Sequence, residues 1–204
     1  CSIFSLQTKK RNSRKYLYSS GVAKIVENIN PYLVEGPTII VSKSSKPING
    51  LGGMVFGSMP NDGGHLILTK DEVEHLRRAY PNNDFVQDSI KKFIGSIEFI
   101  NGKERYCLWI EKEQYPALTQ IPEIKSKFEA VRKVRSQSDR LTTAELSRFP
   151  YRFGEVRATP APNNIIIPRV SSERRKFLQC GFVDNDVVIS DAAFCLPNAA
   201  RYQL

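Results

Sequence analysis

The sequence predicts an α+β fold in which two clusters of mostly antiparallel strands are accompanied by several helices. Three observations lead to this prediction. Short β-branched and aromatic runs alternate with turns rich in Gly, Pro and Asn, two segments begin with helix-capping patterns, and one stretch free of Gly and Pro permits a long basic helix. With 204 residues and 41% hydrophobic content, the chain can bury a core, which excludes disordered and fibrous proteins.

The first third of the chain is predicted to be rich in short strands. A basic segment at residues 9–15 is expected at the tip of a hairpin, and residues 46–64, with six glycines and two prolines, are expected to form a loop. The strands expected here are residues 2–7, a run from Tyr16, residues 37–43, residues 54–56 and residues 65–68.

Two short helices are predicted next. Thr69 and Glu72 have the spacing of a capping box, so a helix is expected to start there and to end near Tyr80. Asp84 begins a weaker version of the same pattern, and its helix is expected to stop at Gly95.

The Asn101-Gly102 dipeptide is the strongest hairpin signal in the chain. Asn-Gly favours the two-residue turn that joins antiparallel strands, because both positions adopt positive φ readily. Residues 97–100 and 105–110 are therefore predicted to be the two strands of a hairpin.

A helix of up to about seven turns is predicted for residues 123–148, after Pro122. Its apolar stripe is narrow, so one side is expected to pack and the other to form a basic rim that includes Lys125, Arg132, Lys133, Arg135 and Arg140. An ordinary solvated helix surface explains the same pattern equally well. Residues 164–168 and three further runs ending near Leu196 are predicted to be strands.

Charge is concentrated in two parts of the chain. The sequence has 30 Lys and Arg against 21 Asp and Glu, a net charge of +9, and the excess lies in residues 1–49 and 120–180. This pattern indicates one electropositive surface for a polyanion, with nucleic acid as the leading candidate. A basic but merely solvated surface is the alternative.

Several functional classes are excluded by what the sequence lacks. It contains no apolar run long enough to span a membrane and no signal-peptide pattern, so a cytoplasmic location is expected. Its four cysteines form no C-x-x-C pair, which argues against a zinc site and for buried reduced thiols. Because the chain does not begin with Met, it is expected to be a piece of a longer protein.

No catalytic motif is complete in this sequence. Residues 30–32 (N-P-Y) lack the second proline of an amino-methyltransferase motif, and residues 123–125 (E-I-K) match a nuclease motif only on a predicted helix. A triphosphate-binding loop is absent. An enzyme with an unrecognised site stays an alternative, with Asp62, His65 and Glu98 as a polar cluster that spacing alone gives no reason to assemble.

Five segments together resemble one family: residues 28–33, 56–66, 93–100, 105–109 and 167–175. They are similar, in the same order, to the target-recognition part of MmeI-like (YeeA-type) DNA methyltransferases, which are single-chain type IIG restriction-modification enzymes. The similarity extends from the first predicted strand to about Phe194.

The resemblance implies that residues 1–204 are a DNA target-recognition domain, non-catalytic by itself, with residues from about 195 leading into a following segment. Its expected partners are double-stranded DNA and the methyltransferase and C-terminal segments of the same polypeptide. The implied function is sequence-specific binding that directs adenine methylation, and with it cleavage if the parent cuts DNA. No cofactor is expected in this part; the parent would use S-adenosylmethionine, and Mg²⁺ for cleavage.

The candidate DNA-contacting residues follow from side-chain chemistry rather than from the resemblance. Arg, Gln and Glu can read base edges, whereas Arg, Lys and Ser suit phosphates, and residues 148–157 and 169–179 combine these types with turn-like backbone. The base-reading candidates are Arg148, Arg152, Glu155, Arg157, Arg174 and Gln179. The phosphate candidates are Lys133, Arg135, Arg140, Arg169, Ser171, Ser172, Arg175 and Lys176. The aromatic residues Phe149, Phe153 and Phe177 are expected in the core.

A third interpretation is a protein-interaction module that docks on partner subunits. Binding of random duplex DNA as a function of salt would separate the DNA-binding interpretation from both alternatives.

Overall fold

The computed structural model describes residues 14–40, 42–47, 50, 52–172 and 174–200. The chain divides into two compact units, residues 1–46 and residues 47–204.

The first unit contains an antiparallel hairpin of strands β1 (Lys15–Ser19) and β2 (Val22–Val26). Its turn residues Ser20 and Gly21 have φ values of 50° and 80°, the left-handed conformation that a tight two-residue hairpin requires. The strand predicted from Tyr16 is therefore present, but it pairs with the residues that follow it. Residues 2–7, its predicted partner, lie outside the described residues.

The strand predicted for residues 37–43 is wrong. Residues 37–40 and 42–43 form no strand, and the side chains of Ile39 and Ile40 are exposed. A run of β-branched residues forms a strand only where another strand is available to pair with it. Val41 lies outside the described residues.

The second unit contains two four-stranded sheets, in the orders β3-β10-β7-β8 and β4-β6-β5-β9. All neighbours are antiparallel except β5 and β9, which are parallel. The strands are β3 (Val55–Phe56), β4 (Ile67–Leu68), β5 (Ile90–Ile94), β6 (Tyr106–Leu108), β7 (Asn164–Pro168), β8 (Gly181–Val183), β9 (Val187–Ile189) and β10 (Ala193–Leu196). The last four confirm the strands predicted after residue 163.

Six α-helices and one 3-10 helix accompany these sheets in the described part of the chain. They are α1 (Lys70–Ala79), α2 (Asp84–Ser89), α3 (Ser96–Asn101), α4 (Tyr115–Leu118), α5 (Pro122–Ser136) and α6 (Leu141–Glu145), followed by the 3-10 helix Leu146–Arg148. The α+β prediction is confirmed.

The capping box before α1 is confirmed. The Glu72 amide donates to Thr69 Oγ1 at 3.2 Å, and the Thr69 amide donates to Glu72 Oε2 at 2.8 Å. The second predicted helix is too long, because α2 ends at Ser89 and the next five residues form β5. This strand lies between β6 and β9, so its pairing on both edges outweighs the helical spacing of its apolar residues.

The hairpin predicted at Asn101-Gly102 is also wrong. Residues 96–101 form α3, and Gly102 ends it at φ 62° in the left-handed conformation. Positive φ at glycine serves helix ends as well as hairpin turns, so the dipeptide alone does not choose between them. The second predicted strand, however, is present as β6.

The long basic helix is shorter than predicted. The 15-residue α5 ends at Ser136, and α6 and the 3-10 helix occupy most of the remainder up to Arg148. At the break, the Arg140 amide donates to Ser138 Oγ at 3.3 Å, a local side-chain bond that competes with helical pairing.

The main core lies between α1, α5 and the β4-β6-β5-β9 sheet. Its members include Leu66, Leu108, Ile124, Phe128 and Val131, all at most 2% exposed. A smaller buried cluster joins strands of both sheets through residues such as Ile166, Ile189 and Cys195. The two sheets are thus held together by buried apolar contacts within the second unit.

Candidate nucleic-acid interface

Residues 154–157 are held by hydrogen bonds to the chain just after β3. The amides of Met59 and Glu155 each donate to the carbonyl of the other at 2.9 Å, and the Gly154 amide donates to the Pro60 carbonyl at 2.9 Å. The Arg157 amide donates to Ser58 Oγ at 3.1 Å. The backbone that carries two of the candidate base readers is therefore fixed by the core of the second unit.

Two glycines permit close approaches of the chain near these residues. A Cβ on Gly154 would lie 2.6 Å from the Cβ of Asn61, nearer than side-chain carbons approach in folded proteins. A Cβ on Gly57 would overlap the backbone of Ser190. The glycine-rich loop noted in the sequence thus places chain segments against each other.

An aromatic ring flanked by two arginines lies beside these residues. The Arg157 and Arg169 guanidinium carbons lie 5.6 and 5.0 Å from the centre of the Phe56 ring, which is 41% exposed. Phe56 in turn packs on Phe194, with 4.9 Å between ring centres. Arginines at this distance interact favourably with the ring face and are held in place by it.

Charge and hydrogen bonding complete this arrangement, which we call the Phe56 cluster: Phe56, Glu155, Arg157 and Arg169. The Glu155 carboxylate forms an ion pair with Arg157 Nη2. Arg169 Nη1 donates to the Asp191 carbonyl at 2.8 Å, and its amide donates to Ser96 Oγ at 3.0 Å. The cluster therefore presents one carboxylate and two guanidinium groups from a fixed backbone.

Arg148 and Arg152 are exposed but lie outside the Phe56 cluster. Arg148 ends the 3-10 helix. Arg152 lines a cavity of about 330 Å³ whose wall also includes Trp109 and Tyr151. Both guanidinium groups are accessible to a large ligand.

Residues 171–179 form a connection between β7 and β8 whose described members are exposed. Ser172 organises its start: its Oγ accepts from the Arg174 amide at 3.3 Å, and its carbonyl accepts from the Arg175 amide at 3.0 Å. The Lys176 ammonium lies 5.5 Å from the centre of the Phe177 ring. The other candidates here are Ser171 and Gln179, and all of these side chains face solvent.

The three helix candidates divide into two exposed residues and one buried residue. Lys133 and Arg140 are exposed, as a phosphate contact requires. Arg135 is 0% exposed, and all five of its N–H groups donate to backbone carbonyls. The prediction that Arg135 lies on a basic rim and contacts phosphate is wrong, because its guanidinium is enclosed and has no N–H left for a ligand.

Burial lowers the pKa of Arg135, whereas the negative charge of nearby Asp62 raises it. Asp62 is itself buried and accepts hydrogen bonds from the amides of Gly64 and Leu66. These two charges belong to the interior of the second unit.

The structure joins only part of the predicted site. It brings Glu155, Arg157 and Arg169 together around Phe56, although Arg169 is separated from the other two in sequence. Sequence analysis missed Phe56 as a member; the signal was its position beside Gly57 in a loop with many glycines, which indicates close backbone approach. The predictions for two other aromatic residues are wrong, because Phe149 and Phe177 are exposed; Phe153 is buried as predicted.

The polar cluster considered for an enzyme has structural contacts instead. Asp62 caps the following turn, and Glu98 Oε2 accepts from the Gly95 amide at 2.8 Å while its Oε1 lies 3.3 Å from Arg105 Nε. Within the described residues, no three His, Cys, Asp or Glu side chains are grouped so that they could hold a metal ion.

Among the described residues, no helix has the length and apolar composition needed to cross a membrane.

Comparisons with known proteins agree on one family. The family model for the MmeI target recognition domain matches residues 35–204. DNA methyltransferase A of Bacillus subtilis (strain 168) is 37% identical over 190 residues, which cover 93% of this chain and 21% of that protein. The chain also resembles the solved structure of the type IIL restriction-modification enzyme MmeI in complex with DNA, with a TM-score of 0.72 and 30% identity over 94% of this chain and 26% of that one.

The chain therefore spans about a quarter or less of the length of these two relatives. The family resemblance predicted from the five sequence segments is confirmed.

Proposed function

The chain belongs to the MmeI target recognition domain family, and on this premise we propose that it reads a short sequence of duplex DNA for methyltransferase segments of the same polypeptide. The observation that carries the proposal is the Phe56 cluster. It combines side chains that can form hydrogen bonds with base edges, positive charge and a fixed backbone on the surface of the second unit.

Glu155 and Arg157 are the base readers that the geometry favours. Arg donates to the O6 and N7 atoms of guanine in the major groove, and Glu accepts from the N4 amino group of cytosine. The two side chains are neighbours in the structure, so together they match the two halves of one C·G pair. Their mutual ion pair holds both in place before DNA arrives.

The exposed basic residues suit the sugar-phosphate backbone. Lys133 and Arg140 lie on or beside α5, and Arg175 and Lys176 lie on the β7–β8 connection. Such contacts supply affinity and register without carrying sequence information. Arg169, held over Phe56, is the side chain to which we assign a phosphate contact beside the base pair that Glu155 and Arg157 read.

The chemistry belongs to other segments of the polypeptide in this proposal. The Bacillus subtilis relative is named DNA methyltransferase A, and MmeI is a type IIL restriction-modification enzyme. We propose that the neighbouring segments bind S-adenosylmethionine and methylate an adenine, and that Mg²⁺ serves any cleavage. The present chain then contributes recognition and no catalytic group.

Binding of duplex DNA by this chain is the first test. Fluorescence anisotropy with a random-sequence duplex should show weak binding that falls steeply as salt increases, because basic side chains displace condensed counterions. Failure to bind even at low salt would count against the proposal.

The division of chemistry is tested with the same sample. Incubation with DNA and S-adenosylmethionine should transfer no methyl group, and calorimetric titration should detect no cofactor binding. Tight cofactor binding would place part of the methyltransferase site in this chain and contradict the proposal.

Sequence reading is tested in the full-length protein by mapping methylated sites on genomic DNA. Among Ala variants of Arg152, Glu155, Arg157, Arg174 and Gln179, at least one should relax or switch a single base pair, at a cost of about 1 to 3 kcal/mol in discrimination. Ala variants of Lys133 and Arg140 serve as controls and should weaken binding uniformly. A helix variant that changes the recognised sequence while all five others leave it unchanged would reverse the assignment.

A further inference from the structure

Arg135 joins two segments of the second unit through a completely satisfied guanidinium group. Its side chain projects from α5 into the interior and is 0% exposed. Its donors are Nε to Asn61 O (2.9 Å), Nη1 to Leu146 O (3.2 Å) and Phe149 O (2.8 Å), and Nη2 to Pro60 O (2.7 Å) and Arg152 O (2.7 Å). Five donors therefore meet five carbonyls.

The carbonyls come from two separate stretches of chain. Pro60 and Asn61 lie in the glycine-rich loop of residues 46–64, whereas Leu146, Phe149 and Arg152 lead into the segment with the candidate readers. Burying a guanidinium is costly unless its charge and hydrogen bonds are compensated. Here they are compensated by backbone, so the position of that backbone depends on Arg135.

The hydrogen bonds of Arg135 are connected to the backbone of the readers Glu155 and Arg157 through the Pro60 carbonyl. The Pro60 carbonyl accepts from Arg135 Nη2 at 2.7 Å and from the Gly154 amide at 2.9 Å. Glu155, the next residue, exchanges both backbone hydrogen bonds with Met59 at 2.9 Å. The Pro60 carbonyl thus connects the Arg135 guanidinium to the backbone that carries Glu155 and Arg157.

We propose that Arg135 is a positioning residue for sequence recognition: it touches no DNA, and it sets where Glu155 and Arg157 meet the base pair. This inference rests on the proposed function. Base reading requires side chains held within about 0.5 Å of their productive geometry. Arg135 supplies that precision because it binds the carbonyls of Pro60 and Asn61 as well as those of Leu146, Phe149 and Arg152. It thereby holds the backbone of Glu155 and Arg157 against the loop that contains Pro60.

Arg135→Lys is the decisive variant because it keeps the charge but loses the fork of donors. A lysine has three N–H groups on one nitrogen, so it can satisfy at most three of the five carbonyls. In the full-length protein, binding to the cognate duplex should weaken about 10- to 100-fold relative to duplexes altered at the one base pair read by Glu155 and Arg157. Affinity for random DNA and its salt dependence should stay unchanged.

Arg132→Lys makes the same substitution at an exposed position of the same helix; it is the matched control and should leave the discrimination ratio unchanged. Circular dichroism and an unfolding curve would establish that each variant is folded at the assay temperature. If Arg135→Lys does not fold, Gly154→Ala decides the question, since its Cβ would press on Asn61 and displace the same segment while the charge remains. It should give the same loss of discrimination.

The outcomes separate this inference from the function on which it rests. If Glu155→Ala and Arg157→Ala leave discrimination unchanged, the assignment of the readers fails, and Arg135 has nothing to position. If Glu155→Ala and Arg157→Ala change the discrimination, but folded Arg135→Lys or Gly154→Ala leaves it unchanged, the positioning inference is overturned. A uniform loss of affinity for every duplex would also overturn it, because Arg135 would then affect DNA binding without affecting the choice of sequence.

Discussion

Residues 152–157 and residues 171–179 carry similar side chains, but their backbones are held differently. In the first segment, the amides of Gly154, Glu155 and Arg157 bond to residues about 100 positions earlier in the chain. In the second, the amides of Arg174 and Arg175 bond to Ser172 in the same connection. We call these the anchored segment and the exposed connection.

The difference assigns different tasks to the two regions. Base edges offer donors and acceptors at fixed positions, so their readers must be ordered in advance. Phosphates repeat along the duplex and attract charge at longer range, so their contacts tolerate a backbone that adjusts. The anchored segment suits sequence reading, and the exposed connection suits phosphate contact.

The largest expected difference between the two regions is in the free energy of unfolding that is lost when one phenylalanine from each region is replaced by Ala. Phe153 is 3% exposed and packs on Phe93 and Trp109, with ring centres 5.7 and 5.1 Å away. Phe153→Ala should lower the free energy of unfolding by about 3 to 5 kcal/mol. Phe177 is 74% exposed, and Phe177→Ala should change the free energy of unfolding by less than about 0.5 kcal/mol. Urea unfolding measures both, and similar losses would contradict the comparison.

The thiols of Cys180, at the end of the exposed connection, and Cys195, inside the sheet, should differ in reactivity. Burial raises the pKa of Cys195, in β10, to about 11, whereas Cys180 lies half-buried beside β8. About one Cys195 in 1,000 is then a thiolate at pH 8. Iodoacetamide at that pH should modify Cys180 before Cys195, as followed by peptide mass spectrometry.

Because the raised pKa favours the neutral thiol in the folded state, its stabilising effect is present below pH 9 and is lost as pH rises towards 11. Alkylation of Cys195 should accelerate over the same range. Equal rates for Cys180 and Cys195 at pH 8 would show that β10 is as accessible as the end of the exposed connection.

Removing the positive charge of the exposed connection should reduce the salt dependence of DNA binding. Arg174, Arg175 and Lys176 changed together to Ala should reduce the slope of log affinity against log salt by about 0.9 for each phosphate that the variant no longer neutralises. Gln179→Ala, a change of an uncharged side chain in the same connection, is the control and should leave the slope unchanged. The distinction would fail if the triple variant kept the slope but changed the preferred sequence.

The smallest expected effect is a difference in amide hydrogen exchange. The amides of Gly154 and Glu155 should exchange slowly in the free protein, because opening them disrupts pairing with the core. Those of Arg174 and Arg175 should exchange faster and gain more protection when duplex DNA is added. Greater gain in the anchored segment would show that it also becomes ordered on binding.

Features encoded by neighbouring residues could be predicted from the sequence. The Thr69-x-x-Glu72 capping box fixes the start of α1 through bonds within four residues. The run at residues 164–168 forms a buried strand, as its composition indicates. The segments that carry the family resemblance and the basic composition were also sufficient to predict a DNA target-recognition domain.

Features that depend on distant partners could not be predicted in the same way. Residues 90–94 have helical spacing but pair with β6 and β9, and the glycine of Asn101-Gly102 ends a helix instead of turning a hairpin. In each case two local conformations were compatible with the residues. For residues 90–94, the neighbouring strands decided the conformation. For Gly102, the sequence pattern offered no means of choosing between a helix end and a hairpin turn.

The sequence by itself determined the fold class, the family and the residue types available to contact DNA. Only the tertiary structure decided which arginines remain available. Arg157 and Arg169 lie exposed over Phe56, whereas Arg135 is enclosed by five carbonyls. The physical reason is that a guanidinium satisfies its donors equally well with phosphate, bases or backbone, and the choice depends on which of them the folded chain brings within reach.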